Sequence, residues 1–162
     1  MCIELLLILA IMVCTLLLLQ DIGLAEEDTE DIWILCSSES FVCVREAPRK
    51  TSFAFGGATC GTRLQTDGEA KNKYIHVVNV PAEEASGWIS SQYIVHSEPI
   101  RIDQGATVVS NGRLAARKGI NGKVQYWLEP MSKVTVFWWT DEWCLTNKGY
   151  VATEFLELDG ED

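Results

Sequence analysis

Apolar residues are distributed along this 162-residue chain in two different ways. From Ile3 to Leu19 they run almost without a break, interrupted only by Glu4, Cys14 and Thr15. Beyond residue 30 they come in short bursts that alternate with polar positions, as in "TRLQT", "YIHVVNV", "SKVTVF" and "WCLTN". Bursts of this kind, rich in β-branched and aromatic residues and bounded by turn formers, read as half-buried strands. Asn111-Gly112 and Asn121-Gly122 are tight-turn signals, because both residue types tolerate a positive φ. No stretch after residue 30 keeps helical spacing over three turns. The pattern predicts an all-β chain behind one long apolar segment.

The strand pattern also repeats. "GWISSQYI" (87–94) returns as "GYVATEFL" (149–156), and each pair of positions is identical or a close physical substitute. Aligned outward, "FVCVREAP" (41–48) matches "RLAARKGI" (113–120), setting Arg45 opposite Arg117. "CGTRLQT" (60–66) matches "MSKVTVF" (131–137), and "KYIHV" (73–77) matches "EWCLT" (142–146). The first copy is longer, mainly in "DGEAKNK" and "VPAEEAS". Loops absorb such insertions at small entropic cost. The expected organisation is one unit over residues 32–97 and a second over 98–158, joined through "HSEPIRID". An acidic linker (26–31) and an acidic tail (159–162) flank them.

The first segment ends in "DIGLAEEDTED", with Gly23 and Ala25 at the small positions a signal peptidase needs. Residues 1–25 therefore read as a signal peptide cut after Ala25. The apolar run also approaches the ~20 residues of an uncleaved anchor. Either reading puts the rest of the chain outside the cytoplasm, secreted or anchored at the cell envelope, since the flank is acidic and no basic cluster opposes export.

Charge narrows the partners. With 23 acids, 13 bases and a net charge of −10, the chain is a poor binder of nucleic acid and of anionic lipid surfaces. Membrane contact is expected only through the N-terminal segment. Four cysteines follow Ala25: Cys36, Cys43, Cys60 and Cys144. Outside the cytoplasm they are candidate disulfide formers, and their spacing leaves three pairings open. No Cys-x-x-Cys pair exists and His76 and His96 stand alone, so no metal or other cofactor is expected.

The order "V-x-V-R-x-x-P", "G-T-x-L", an aromatic strand and "G-W-I-S-S-Q-Y-I" resembles the bacterial SH3 (SH3b) domain. The second copy, "L-A-A-R", "L-E-P-M-S-K-V-T-V", "E-W-C-L-T" and "G-Y-V-A-T-E-F-L", resembles it more loosely. Cys43 and Ala115 stand where family members usually carry Asn, and "KGINGK" lacks the usual proline. The resemblance implies two small SH3-like antiparallel barrels in tandem. It also implies a ligand class: cell-wall peptidoglycan or an envelope protein.

Residues fixed by the repeat (Tyr74, Trp88, Tyr93, Trp143, Tyr150 and Phe155) are expected in the cores, where each aromatic is a large share of a small domain's buried surface. Trp127, Trp138 and Trp139 answer to no repeat constraint. Trp138 and Trp139 are consecutive on a strand and cannot fill one core. These three are candidate ligand-binding residues, with packing between the units as the alternative. Arg117 joins them, because an arginine at a strand end can hold a carboxylate bidentately. Neither histidine lies near a nucleophile motif, so the expected class is a non-catalytic binding module. The competing class is an envelope accessory that docks a protein partner through its tryptophans. N-terminal sequencing of the exported protein should begin near Glu26; a start at Met1 in the membrane fraction selects the anchor, and a cytosolic protein refutes both.

Overall fold

The computed structural model describes residues 29–37, 40–80 and 85–160. Residues 1–25, read from the sequence as a signal peptide or anchor, lie outside the described residues. Within them the chain is all-β, with no α-helix and two single-turn 3₁₀ segments, Ser91–Tyr93 and Thr153–Phe155.

Fifteen strands form two antiparallel sheets. The first contains β1 (Glu30–Ile34), β2 (Phe41–Arg45), β3 (Ala54–Thr59), β4 (Arg63–Thr66), β5 (Ala70–Lys71), β6 (Tyr74–Val80), β7 (Ala85–Ser90) and β8 (Ile94–Val95). The second contains β9 (Ile100–Val108), β10 (Leu114–Arg117), β11 (Val124–Leu128), β12 (Lys133–Trp139), β13 (Trp143–Thr146), β14 (Gly149–Ala152) and β15 (Leu156–Leu158). The strand orders are β3-β2-β7-β6-β4-β1-β8 and β11-β10-β14-β13-β12-β9-β15. Apart from the short β5, each strand of one path has its counterpart at the same place in the other. The sequence repeat is a repeat of topology.

Its most constant residues meet at one crossing. Arg45 pairs with Trp88, and Arg117 pairs with Tyr150, so the repeated arginine lies beside the repeated aromatic in both sheets. The glycine before each aromatic is there because nothing larger fits. A Cβ at Gly87 would stand 2.9 Å from the Arg45 carbonyl oxygen and 2.7 Å from Val44 and Phe55 side-chain atoms. At Gly149 it would stand 2.4 Å from the Arg117 carbonyl oxygen, at a φ of +117°. The arginines close their own loops. Arg45 Nη1 donates to the Ser52 carbonyl (2.7 Å) and Arg117 Nη1 to the Gly122 carbonyl (2.9 Å).

Each half has its own core. Ile32, Val44, Leu64, Val77 and Ile89 are among those that fill the first, and Ala106, Val108, Val134, Val136 and Val151 among those that fill the second. A third cluster joins residues of both: Leu35, Val95, Ile120, Leu145 and Tyr150.

The structure differs from the sequence reading at four points. Neither sheet closes into a barrel by hydrogen bonds: among the described residues β3 and β8, and likewise β11 and β15, are the unpaired ends of their paths. The first strand of each half also departs from expectation. β1 begins inside the stretch read as linker, where Asp31 pairs with Arg63. β9 takes in "IRID" of the supposed junction, because Ile100 and Arg101 pair with Trp139 and Trp138 of β12.

The third point is a register slip of one residue. The turn before β4 is made by Gly61 (φ +81°) and the turn before β12 by Met131 (φ +64°). Gly61 N–H bonds the Ile34 carbonyl as Met131 N–H bonds that of Val108. Gly61, not Cys60, is thus the counterpart of Met131. In a strand one residue of slip exchanges the faces, and the corrected register matches buried Leu64 to buried Val134. Finally, Asp159, read as tail, accepts hydrogen bonds from Lys133 Nζ (2.7 Å) and Thr107 Oγ1 (2.8 Å), which hold its carboxyl below the usual carboxylate range.

Gly149→Ala should cost about 2 kcal/mol or more, since it meets both a carbonyl and a left-handed φ. Gly112→Ala, with open space around it, should stay within about 0.5 kcal/mol in the same urea melts.

Candidate functional site

β11 is an edge strand, paired only with β10 among the described residues. Leu128 anchors it in the second core, while Val124, Tyr126 and Trp127 are exposed. Trp127 is 57% exposed and sits opposite Ala115; Tyr126, 47% exposed, sits opposite Ala116. The small partners on β10 leave both rings uncovered. Each ring has a cation beside it: the Arg113 guanidinium carbon lies 5.7 Å from the Trp127 ring centroid, and Lys148 Nζ lies 5.8 Å from that of Tyr126. These cation–π contacts restrain flat apolar surfaces that remain open to solvent. The first half reaches a related result by another route. Gly57 takes the place of Trp127, and exposed Phe41 on β2 lies so close that a Cβ at Gly57 would be 2.9 Å from its ring.

The other candidate residues are placed elsewhere. Trp138 is half-buried against the third cluster, next to Gly61 of the first half. Trp139 is half-buried against the second core. The two rings therefore leave their strand in opposite directions, as alternation requires, and a register shift between Val136 and Trp138 helps seat them. Trp143 packs on the third cluster and so faces the first half. Arg117 is occupied by its own hairpin, through the bond to Gly122.

The four cysteines among the described residues, Cys36, Cys43, Cys60 and Cys144, are free thiols. Cys36 and Cys60 lie together, with the Cys36 N–H donating to Cys60 Sγ at 3.2 Å. The contact between the two thiols, ahead of burial, pushes Cys36 up, and the same contact draws Cys60 down. Cys144 is buried beside the Thr153 hydroxyl (3.2 Å), and burial pushes its thiol up to about 11. Cys43 lies half-buried on β2. The histidines bond carboxylates: His76 Nδ1 is 2.7 Å from Asp67 and His96 Nδ1 3.0 Å from Glu30. Asp67, Glu69 and His76 bring their ligand-type atoms within 4.8 Å of one another. The Asp67 carboxyl is held low first by the Glu69 N–H, a local turn bond, and then by His76.

The contact between the halves is polar as well as apolar. Tyr150 Oη, buried, donates to the Leu35 carbonyl at 2.8 Å, and burial pushes its phenol far above the ordinary range. Ile120 N–H donates to the Gln92 carbonyl (2.8 Å), and Asp141 N–H to Ser97 Oγ (3.1 Å). Beside this seam lies a cleft of about 540 Å³, with Arg45, Lys50, Tyr74 and Tyr93 on one side and Lys118 and Lys123 on the other. Sequence reading missed this site, because its two sides lie in different repeats. Tyr150→Phe should lower stability by about 1–3 kcal/mol in chemical denaturation, since it orphans a buried carbonyl without emptying the site. An unchanged midpoint would show that this bond does not hold the halves together.

No family model and no curated protein matches the chain. The solved structures similar to it include two NlpC proteins. The NlpC1 structure from Trichomonas vaginalis is 14% identical, with a TM-score of 0.37, over 82% of this chain and 47% of that one. The NlpC2 structure from the same organism is 12% identical, with a TM-score of 0.38, over 82% of this chain and 49% of that one. The chain spans about half the length of each. Similarity this low assigns neither fold family nor activity.

Proposed function

We propose that this chain is a non-catalytic binding module that works outside the cytoplasm. In this reading two SH3b-like units in tandem recognise cell-wall peptidoglycan or another envelope component. The observation that carries it is the uncovered aromatic edge of β11, where Tyr126 and Trp127 lie open to solvent with a cation beside each ring. Exposed, restrained aromatic faces suit sugar rings and peptide side chains, which bind by apolar contact with little loss of side-chain freedom. The SH3b-like reading is supported by the shared strand order. It is also supported by the way each core draws on both ends of its sheet, Ala58 with Ile94 in the first and Leu128 with Leu156 in the second. Cores of that kind support the reading of each sheet as a curled, partly open barrel.

Sedimentation with insoluble peptidoglycan tests the proposal. Trp127→Ala should lower the bound fraction by about tenfold or more while leaving stability within about 0.5 kcal/mol. Trp139→Ala, which withdraws a ring from the second core, should cost about 2–4 kcal/mol. A wild-type chain that stays in the supernatant, but is captured on an envelope protein through Trp127, selects the protein-docking alternative. Wall binding that survives Trp127→Ala rules out β11 as the contact.

A further inference from the structure

The cleft at the seam has a charge opposite to that of the chain. With 23 acids and 13 bases in the sequence, a cleft lined at random would carry mostly acids. Instead its charged lining is Arg45, Lys50, Lys118 and Lys123, with no acid among them. Five ion pairs occur among the described residues, and none uses any of these four groups. Unneutralised charges on the walls of a cleft focus the field into it and draw in anions.

The bases are also held in position. Arg45 spends one guanidinium donor on the Ser52 carbonyl (2.7 Å), which fixes the group and leaves its other N–H groups to bind. Lys118 and Lys123 face each other across a hairpin closed by the Lys118 N–H to Lys123 carbonyl bond (3.0 Å). That hairpin is clamped to the first half. Ile120 is buried in the third cluster, its N–H bonds the Gln92 carbonyl, and Gly119 sits so close to Gln92 that a Cβ would be 3.0 Å from it. The seam thus presents two lysines of one half to the arginine and lysine of the other. Tyr74 and Tyr93 add aromatic wall between them.

We propose that this cleft binds an acidic peptide, its carboxylates held by Arg45, Lys50, Lys118 and Lys123 and its carbon chain lying on Tyr74 and Tyr93. The volume is in the range of small-ligand sites, about 300–1,000 Å³. A bare inorganic anion would use the cations and leave the aromatic wall uncovered. The site is separate from β11 and uses a soluble ligand, so it stands or falls independently of wall binding.

Calorimetric titration of the purified full chain with triglutamate tests it, with trialanine, inorganic phosphate and the Lys148→Glu variant as comparisons. Triglutamate should bind saturably and weaken steeply as salt rises. Trialanine and phosphate should each bind at least tenfold more weakly. The double variant Lys118→Glu/Lys123→Glu should lose at least tenfold in affinity with an unchanged melting temperature; Lys118→Gln/Lys123→Gln serves if charge reversal disturbs the hairpin. Lys148→Glu, in the turn between β13 and β14 and outside the cleft lining, should bind triglutamate as the wild type does. The proposal is overturned if triglutamate does not saturate, if phosphate binds as tightly, if the lysine variants bind as well as the wild type, or if Lys148→Glu weakens binding equally.

Discussion

The structure depends on the seam between its two halves. Units of this size bury too small a fraction of their surface to be robust alone. Here each adds to its own core a share of a common one, formed by Leu35, Val95, Ile120, Leu145 and Tyr150. Tyr150 is the link that makes the seam specific. Its ring contributes apolar area, and its hydroxyl satisfies a buried carbonyl 115 residues away in the sequence. An apolar seam alone could slide, whereas a buried hydrogen bond has one geometry. The cation-lined cleft lies beside this contact and spans the halves with it, its hairpin held by the Ile120 N–H to Gln92 carbonyl bond.

Around this fixed relation the two copies have diverged where backbone constraint ends. The crossing of β2 over β7, and of β10 over β14, keeps its glycine, its aromatic and its arginine, because a carbonyl oxygen occupies the space a Cβ would need. Trp88 and Tyr150 hold equivalent positions, yet Trp88 lies tilted against His76 (centroids 5.0 Å apart, planes at 47°) while Tyr150 turns into the seam. Gly57 and Trp127 differ more widely, since their position faces outward and only the local neighbour restricts it. Topology is conserved between the copies, and the surfaces are free to specialise.

Electrostatics follows the same division. The chain is acidic as a whole, which keeps it from polyanions at long range. Six of its 13 bases nonetheless lie in the cleft at the seam or beside the aromatic edge of β11, so attraction there is local. A net charge describes the first behaviour and conceals the second.

The sequence by itself determined the strand content, the repeat and the residues of the repeated crossing, because these rest on local pattern: alternation, turn formers and a glycine before an aromatic. It also marked Trp127 as a residue the repeat did not require, and that ring is exposed. It did not reveal β1 and β9, whose pairing with β4 and β8, or β12 and β15, stabilises segments too polar or too short in pattern to be read alone. Nor could it separate Trp138 from Trp139, since which face of a strand is core depends on what packs against it. The contact between the free thiols Cys36 and Cys60, the clamp of Tyr150 on Leu35 and the convergence of four bases from two repeats were decided by tertiary structure alone. Each joins residues far apart along the chain, and local pattern carries no record of a contact whose partner belongs to a different strand or a different half.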